Sequence, residues 1–278
     1  MFDKHGVFES IPFKKLGLLK EGTYMIVRIV GGHGGVSPGY KNTSYLIDGK
    51  LLIDAGSVAS GMQIDEQKLI DNILISHSHL DHISDLAFLA DNCFGLKGKP
   101  FEIYTSKTVE ENVMKHLLND EIWPDFTKLP NKENPTLRFN IVKSNETIQL
   151  GPYKVTMIPV NHPAGGHGFI IEKGGTSLVF TQDTGPTEAI WLEAMKLKSL
   201  KAIFTEVSFP NNLQGVATAS FHHTPQTMED EIKKMPKDVP IFLGHIKPNY
   251  QTQLSVEVDS LGNDRISLLS SDDVSFVF

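Results

Sequence analysis

Ile73-Leu74-Ile75-Ser76-His77-Ser78-His79-Leu80-Asp81-His82 begins as an apolar run and stops abruptly in metal-ligand side chains. Asn72 to Ser76 is short and aliphatic, as buried strands are. Leu80 to Asn92 then carries Leu80, Ile83, Leu86, Leu89 and Ala90 at helical spacing. Alternate residues of an extended segment point the same way, so His77 and His79 can grip one ion together. Asp81 and His82 fall in the first turn of the predicted helix, beside that pair. Three imidazoles and a carboxylate suit zinc, and iron or manganese also accept such donors. A polar turn that happens to be rich in histidine is the bland alternative. Four donors in six residues, at the strand-to-helix junction where α/β proteins place their chemistry, weigh against it.

The same pattern recurs downstream. The predicted strands Tyr153 to Val160, Ser177 to Thr181 and Pro240 to Leu243 run into His162, Asp183 and His245 respectively. A lone histidine in such a place is usually capped or solvent-facing; the shared position past a strand end argues for ligands. Seven donors exceed one tetrahedral shell. Two cations sharing a carboxylate are the economical arrangement: His77, His79 and His162 around one, Asp81, His82 and His245 around the other, and Asp183 between them. Such a pair, about 3.5–4 Å apart, activates a water as nucleophile and neutralises charge on a phosphate or carbonyl oxygen, with Asp81 placed to orient the attacking hydroxide.

Other residues carry two readings. His167, between glycines, is structural or replaces His162 as a ligand. Asp54, closing a predicted strand, orients a metal-bound histidine or caps a turn. His222-His223-Thr224-Pro225 precedes a helix predicted from Gln226. His222 and Thr224 either contact the substrate, with His222 donating a proton to a leaving oxygen, or only start the helix with Thr224 as its cap. His33, inside Gly31-Gly32-His33-Gly34-Gly35, reads as a rim residue on a loop that is flexible or lets backbone approach a ligand. His223 carries no assigned role.

Elsewhere the chain alternates strands and helices in two halves that meet near residue 130. Thr23 to Val30, Thr43 to Ile47 and Leu51 to Asp54 are predicted strands, the last two joined through the turn dipeptide Asp48-Gly49. Phe101 to Tyr104, Leu137 to Val142, Gly168 to Glu172 and Ala202 to Val207 are further strands, Ser106 to Leu118 and Gln226 to Met235 helices, and the tail alternates as an edge strand does. Residues 1–20 read as an arm or an oligomer contact, compatible with a homodimer. Residues 119–135, the irregular part of an excursion over 106–135, read as a lid or a surface detour. No linker divides 1–278, so one domain is expected.

The 26 basic and 33 acidic residues give a net charge of −7, which disfavours nucleic acid or an anionic membrane as partner. One cysteine excludes an internal disulfide and suits the cytoplasm. No apolar run nears the ~20 residues of a membrane span, and no signal peptide is visible, although a periplasmic or secreted form with its leader removed would read the same.

His77-Ser78-His79-Leu80-Asp81-His82, followed singly by His162, Asp183 and His245, resembles the His-x-His-x-Asp-His signature and later ligands of the metallo-β-lactamase superfamily. That resemblance implies a four-layer αβ/βα sandwich of mixed α/β or α+β class. Within the superfamily the chain most resembles the class II cyclic-nucleotide phosphodiesterases. Leu80 before the Asp, Asn119-Asp120-Glu121-Ile122-Trp123-Pro124, Asp183-Thr184-Gly185-Pro186 and His222-His223-Thr224-Pro225 carry that closer match; His223 departs from it, standing where the family has an apolar residue. The implied reaction is hydrolysis of a 3′,5′-cyclic nucleotide (cAMP or cGMP) to its 5′-monophosphate by a hydroxide held between two divalent cations. The competing expectations are a tRNase Z-like ribonuclease, another phosphodiesterase or arylsulfatase of the same fold, and a metal-free binding module.

Overall fold

Strands with both faces apolar need cover on both sides, and the layering follows from this. The computed structural model describes residues 24–278; the expected arm at 1–20 lies outside them. Its first half runs β1 (Ile26–Gly31), β2 (Ser44–Ile47), β3 (Leu51–Ile53), α1 (Val58–Gly61), α2 (Ile64–Gln67), β4 (Asn72–Leu74), α3 (Leu80–Asn92), β5 (Phe101–Thr105), α4 (Lys107–His116) and β6 (Leu137–Ile141). The second runs β7 (Thr147–Leu150), β8 (Tyr153–Pro159), β9 (His167–Lys173), β10 (Thr176–Phe180), α5 (Ala189–Ala194), β11 (Leu200–Glu206), α6 (Gln214–Ala219), α7 (Pro225–Ile232), β12 (Ile241–Gly244), α8 (Gln251–Asp259), β13 (Ile266–Leu268) and β14 (Val274–Val277).

The strands form two seven-stranded mixed sheets, β14-β1-β2-β3-β4-β5-β6 and β13-β12-β11-β10-β9-β8-β7. Each half starts as an antiparallel meander and continues as parallel strands. One apolar cluster, including Ile29, Tyr45, Phe180 and Phe204, lies between the sheets. A second packs the first sheet under α1, α3 and α4 through Ile73, Leu86, Val109 and Phe101. A third packs the second sheet under α5, α7 and α8 through Trp191, Met228, Ile241 and Leu254. Helix, sheet, sheet and helix therefore stack as the expected αβ/βα sandwich.

Local chemistry sets the joints. Asp48 and Gly49 both adopt positive φ, 50° and 69°, the pair that a tight hairpin with the strands' own twist demands. Ser106 caps α4 by accepting from Val109 N–H. Residues 119–135 pack on the outer side of α3: the Trp123 indole donates to the Ala87 carbonyl at 3.1 Å, and its ring stands edge-on to Phe88. The tail supplies an edge strand to each sheet, as its alternation predicts, but one part of it departs from expectation. It holds a helix, α8, before two strands that close different sheets. Gln251 to Asp259 alternates as a strand would, yet Leu254 and Val258, four apart, are buried while Val256 between them is exposed, which is helical periodicity. Among the described residues no helix is long and apolar enough to cross a membrane.

Candidate metal centre

The strand ends converge on one edge of the sandwich. β4 delivers His77 and His79, and the first turn of α3 delivers Asp81 and His82. His162 follows β8, Asp183 follows β10 and His245 follows β12, so donors come from both sheets. Asp183 sits in the middle. Its Oδ2 lies 3.1 Å from His245 Nε2, 3.2 Å from His82 Nε2, 3.6 Å from His77 Nε2 and 3.9 Å from His162 Nε2. His162 Nε2 is 3.1 Å from His79 Nδ1, and His245 Nε2 is 3.2 Å from Asp81 Oδ2. Donor atoms of His77, His79, His162 and Asp183 fall within 4.8 Å of one another, as do those of Asp81, His82 and His245. Asp183 belongs to the first of these groups and not to the second.

A cation is the group these atoms fit. His77 Nε2, His82 Nε2 and Asp183 Oδ1 are buried without a hydrogen-bond partner, an expensive state unless an ion takes their lone pairs. Burial, reinforced by neighbouring imidazoles, holds His77 far below its usual range. Burial likewise lowers His79 and His245 and brings His162 down to about 4. All four are neutral donors at neutral pH. His82 behaves oppositely: burial disfavours its charge, but Asp183 and Asp54 on either side raise it well above the usual range. Its proton is the one a cation must displace. Burial resists ionisation of Asp183 and Asp81 also, yet the surrounding histidines keep both ionised well below the carboxylate range.

Supporting groups fix the ring orientations. Asp54, fully buried at the end of β3, accepts from His82 Nδ1 at 2.7 Å, from the Ser76 hydroxyl at 2.7 Å and amide at 2.8 Å, and from Gln182 Nε2. It thus orients a cluster histidine rather than only capping a turn. Asp54, Gln182 and His245 all carry positive φ at strand ends, a cost concentrated where the donors turn inward. Gly34 lies against His245: a Cβ there would stand 2.5 Å from the imidazole Cε1. The glycine loop is thus a close backbone approach.

His222 reaches the cluster from the loop before α7, its ring stacked 5.1 Å from that of His245. Its Nδ1 donates to Glu206 Oε1 at 2.8 Å, and despite burial that carboxylate raises His222 above its ordinary range. Asp183, His222 and His245 also form a third close group. Two expectations need correction, those for Thr224 and His33. Thr224 is fully buried, with its hydroxyl engaged by Thr227 N–H and the Gln214 side chain, so it caps α7 and presents nothing to a substrate. His33 is buried rather than at the rim, held to Asp272 Oδ1 at 3.1 Å. His167 contacts Ser144 Oγ and the Gly165 carbonyl and stays out of the cluster, leaving that place to His162. His223 is buried against Thr227.

Sequence reading missed Glu206, Ser208 and Lys247. Glu206 ends β11 just as His245 follows β12, so the strand-end rule extended to glutamate finds it. Ser208 Oγ lies 2.8 Å from His245 Nδ1, and Lys247 Nζ lies 3.6 Å from Asp81 Oδ2; neither has a sequence signal beyond proximity to His245 or Glu206.

The αβ/βα sandwich with histidines and aspartates meeting at one edge defines a class of metal-dependent hydrolase folds. A family model described as beta-lactamase superfamily domain matches residues 50–246, and the chain belongs to that superfamily, with the metallo-β-lactamase fold. It is 27% identical over 304 residues to a probable 3′,5′-cyclic-nucleotide phosphodiesterase of Yersinia pestis, covering 89% of this chain and 84% of the relative. It is also 27% identical to the 3′,5′-cyclic-nucleotide phosphodiesterase of Aliivibrio fischeri, covering 89% of this chain and 91% of that one. The crystal structure of unliganded yeast PDE1 superposes with a TM-score of 0.78 at 16% identity, over 92% of this chain and 100% of that one, a likeness of fold.

Proposed function

We propose that this protein is a metal-dependent phosphodiesterase that hydrolyses 3′,5′-cyclic nucleotides, cAMP or cGMP, to 5′-monophosphates in the cytoplasm. The observation that carries the reading is the single Asp183 oxygen set between two groups of donors. His77, His79 and His162 would hold one divalent cation and Asp81, His82 and His245 the other, zinc being the natural choice for this donor set. Such a pair supplies an activated water and charge neutralisation at phosphorus.

The chain's own groups do the rest. Asp54 and Ser208 fix the His82 and His245 rings through their outer nitrogens. His222, held through Nδ1 and kept protonated by Glu206, lies against the cluster and would give the proton on Nε2 to the departing 3′-oxygen. Lys247 reaches the edge beside Asp81, where its ammonium faces a non-bridging phosphate oxygen. The relatives named as cyclic-nucleotide phosphodiesterases support this assignment.

Four substrates assayed side by side, with and without chelator, test it: cAMP, cGMP, bis(p-nitrophenyl) phosphate and a chromogenic lactam. Chelator-sensitive turnover of a cyclic nucleotide is expected. Turnover of the lactam alone, or of nothing after metal loading, would refute the assignment.

A further inference from the structure

Beside the cluster lies a cavity of about 350 Å³ between the start of α3 and the side of α4, lined by Ser78, Leu80, Ile83, Asn112, His116 and Leu117. Its volume is within the range of small-ligand sites. Ser78 and Leu80 bracket His79 in the sequence, so one wall of the cavity belongs to the segment that carries the cluster. Leu80 is 67% exposed between His79 and Asp81, where it contributes nothing to the core. Leu80, Ile83 and Leu117 supply aliphatic walls. Asn112 Nδ2 donates to Ser78 Oγ at 2.8 Å, which fixes the carboxamide and leaves its oxygen, among the described residues, without a donor. The stretch Asn119 to Pro124, which takes no part in the cluster, ties the end of α4 back onto α3 through the Trp123 indole and so sets the width of the gap.

We propose that this cavity is the nucleobase slot of the substrate site, an inference that rests on the cyclic-nucleotide reading. The base lies against Leu80, Ile83 and Leu117, the Asn112 carbonyl accepts from an N–H on its edge, and His116 closes the outer side. An imidazole can donate or accept, so the slot takes either adenine or guanine. A planar base with apolar faces and a polar edge fits a slot of aliphatic walls and one fixed amide better than a peptide or a sugar does.

Two readouts separate this inference from the activity itself. Wild-type protein, at millimolar ligand in equilibrium dialysis, binds adenosine, which carries no phosphate; Leu80→Ser and Asn112→Ala each weaken that binding. In kinetics, Leu80→Ser raises KM for cAMP about tenfold, the effect of losing roughly 55 Å² of apolar contact. KM for ribose 3′,5′-cyclic phosphate without a base stays unchanged, as does metal content. Absence of adenosine binding to the wild type, equal binding in both variants, or the same KM change for the abasic substrate would overturn the slot. Failure of the wild type to hydrolyse either cyclic phosphate would overturn the assigned activity instead, with adenosine binding still deciding the slot. Asn112→Ala, on a different helix, keeps the test valid if Leu80→Ser disturbs its histidine neighbours.

Discussion

Replacing Asp54 by Asn probes the metal centre without touching a proposed ligand. The Asp54 carboxylate accepts four hydrogen bonds, three on Oδ2 and one on Oδ1. An asparagine can keep its oxygen toward His82, Ser76 Oγ and Gln182, but its Nδ2 then meets the Ser76 amide, donor against donor. One buried unsatisfied donor costs about 1–3 kcal/mol, and the His82 bond falls from charge-assisted to neutral strength, about 1 kcal/mol more. A stability loss of ~2–4 kcal/mol is expected in the metal-free protein. Loosening the ring partner of a ligating histidine lowers metal affinity about 10–100-fold, or ~1.4–2.7 kcal/mol, and the loss falls on the Asp81–His82–His245 position. Asp54 is also one cause of the raised His82 pKa. Wild-type affinity therefore rises with pH as His82 gives up its proton, and the variant's rise is shallower. Competition against a chromogenic chelator between pH 6 and 8, with metal content after dialysis, measures both. Wild-type affinity and the wild-type pH slope in Asp54→Asn would show that Asp54 does not position His82.

Asp81→Ala should abolish hydrolysis and cost one metal equivalent while leaving the circular dichroism spectrum unchanged. His222→Ala should lower kcat by about 10²–10⁴ with both metals retained; loss of a metal by elemental analysis would make His222 a ligand instead. Because Glu206 raises His222, the proton donor is in place below that raised pKa and is lost as pH rises through it. Glu206→Gln should shift the alkaline fall of kcat to lower pH, visible in a pH–rate profile. Gly34→Ala, whose Cβ meets the His245 ring, should cost about 1–3 kcal/mol in thermal unfolding and reduce metal occupancy; unchanged occupancy would mean that the loop yields freely.

Most of the cluster was legible because strand ends and donors coincide along the chain. The run to His82 announces itself through alternation and helix onset, and His162, Asp183 and His245 repeat the same punctuation. What stayed hidden depends on side-chain company. Thr224 and His222 are two residues apart, yet one faces inward to cap a helix and the other faces the cluster, a distinction set by where α7 docks. His33 sits in a glycine loop that looks exposed, but Asp272, from the far end of the chain, draws it under cover. Glu206 could have been found by the same strand-end reading as the rest, whereas Lys247 gains meaning only from its distance to Asp81. In the fold, α8 was masked because alternate valines mimic a strand until burial shows which of them face inward.

β14 pairs with β1, and Met25 and Phe278 exchange reciprocal backbone hydrogen bonds of 2.9 Å. During vectorial synthesis the outer margin of the N-terminal half therefore waits, with unpaired amides and carbonyls, until Val274 to Val277 has left the ribosome. A nascent chain stalled short of that point exposes a template for pairing with its neighbours. Variants that delete Val274 to Phe278 or break its pairing with β1 should yield more aggregate than equivalent changes elsewhere on the surface.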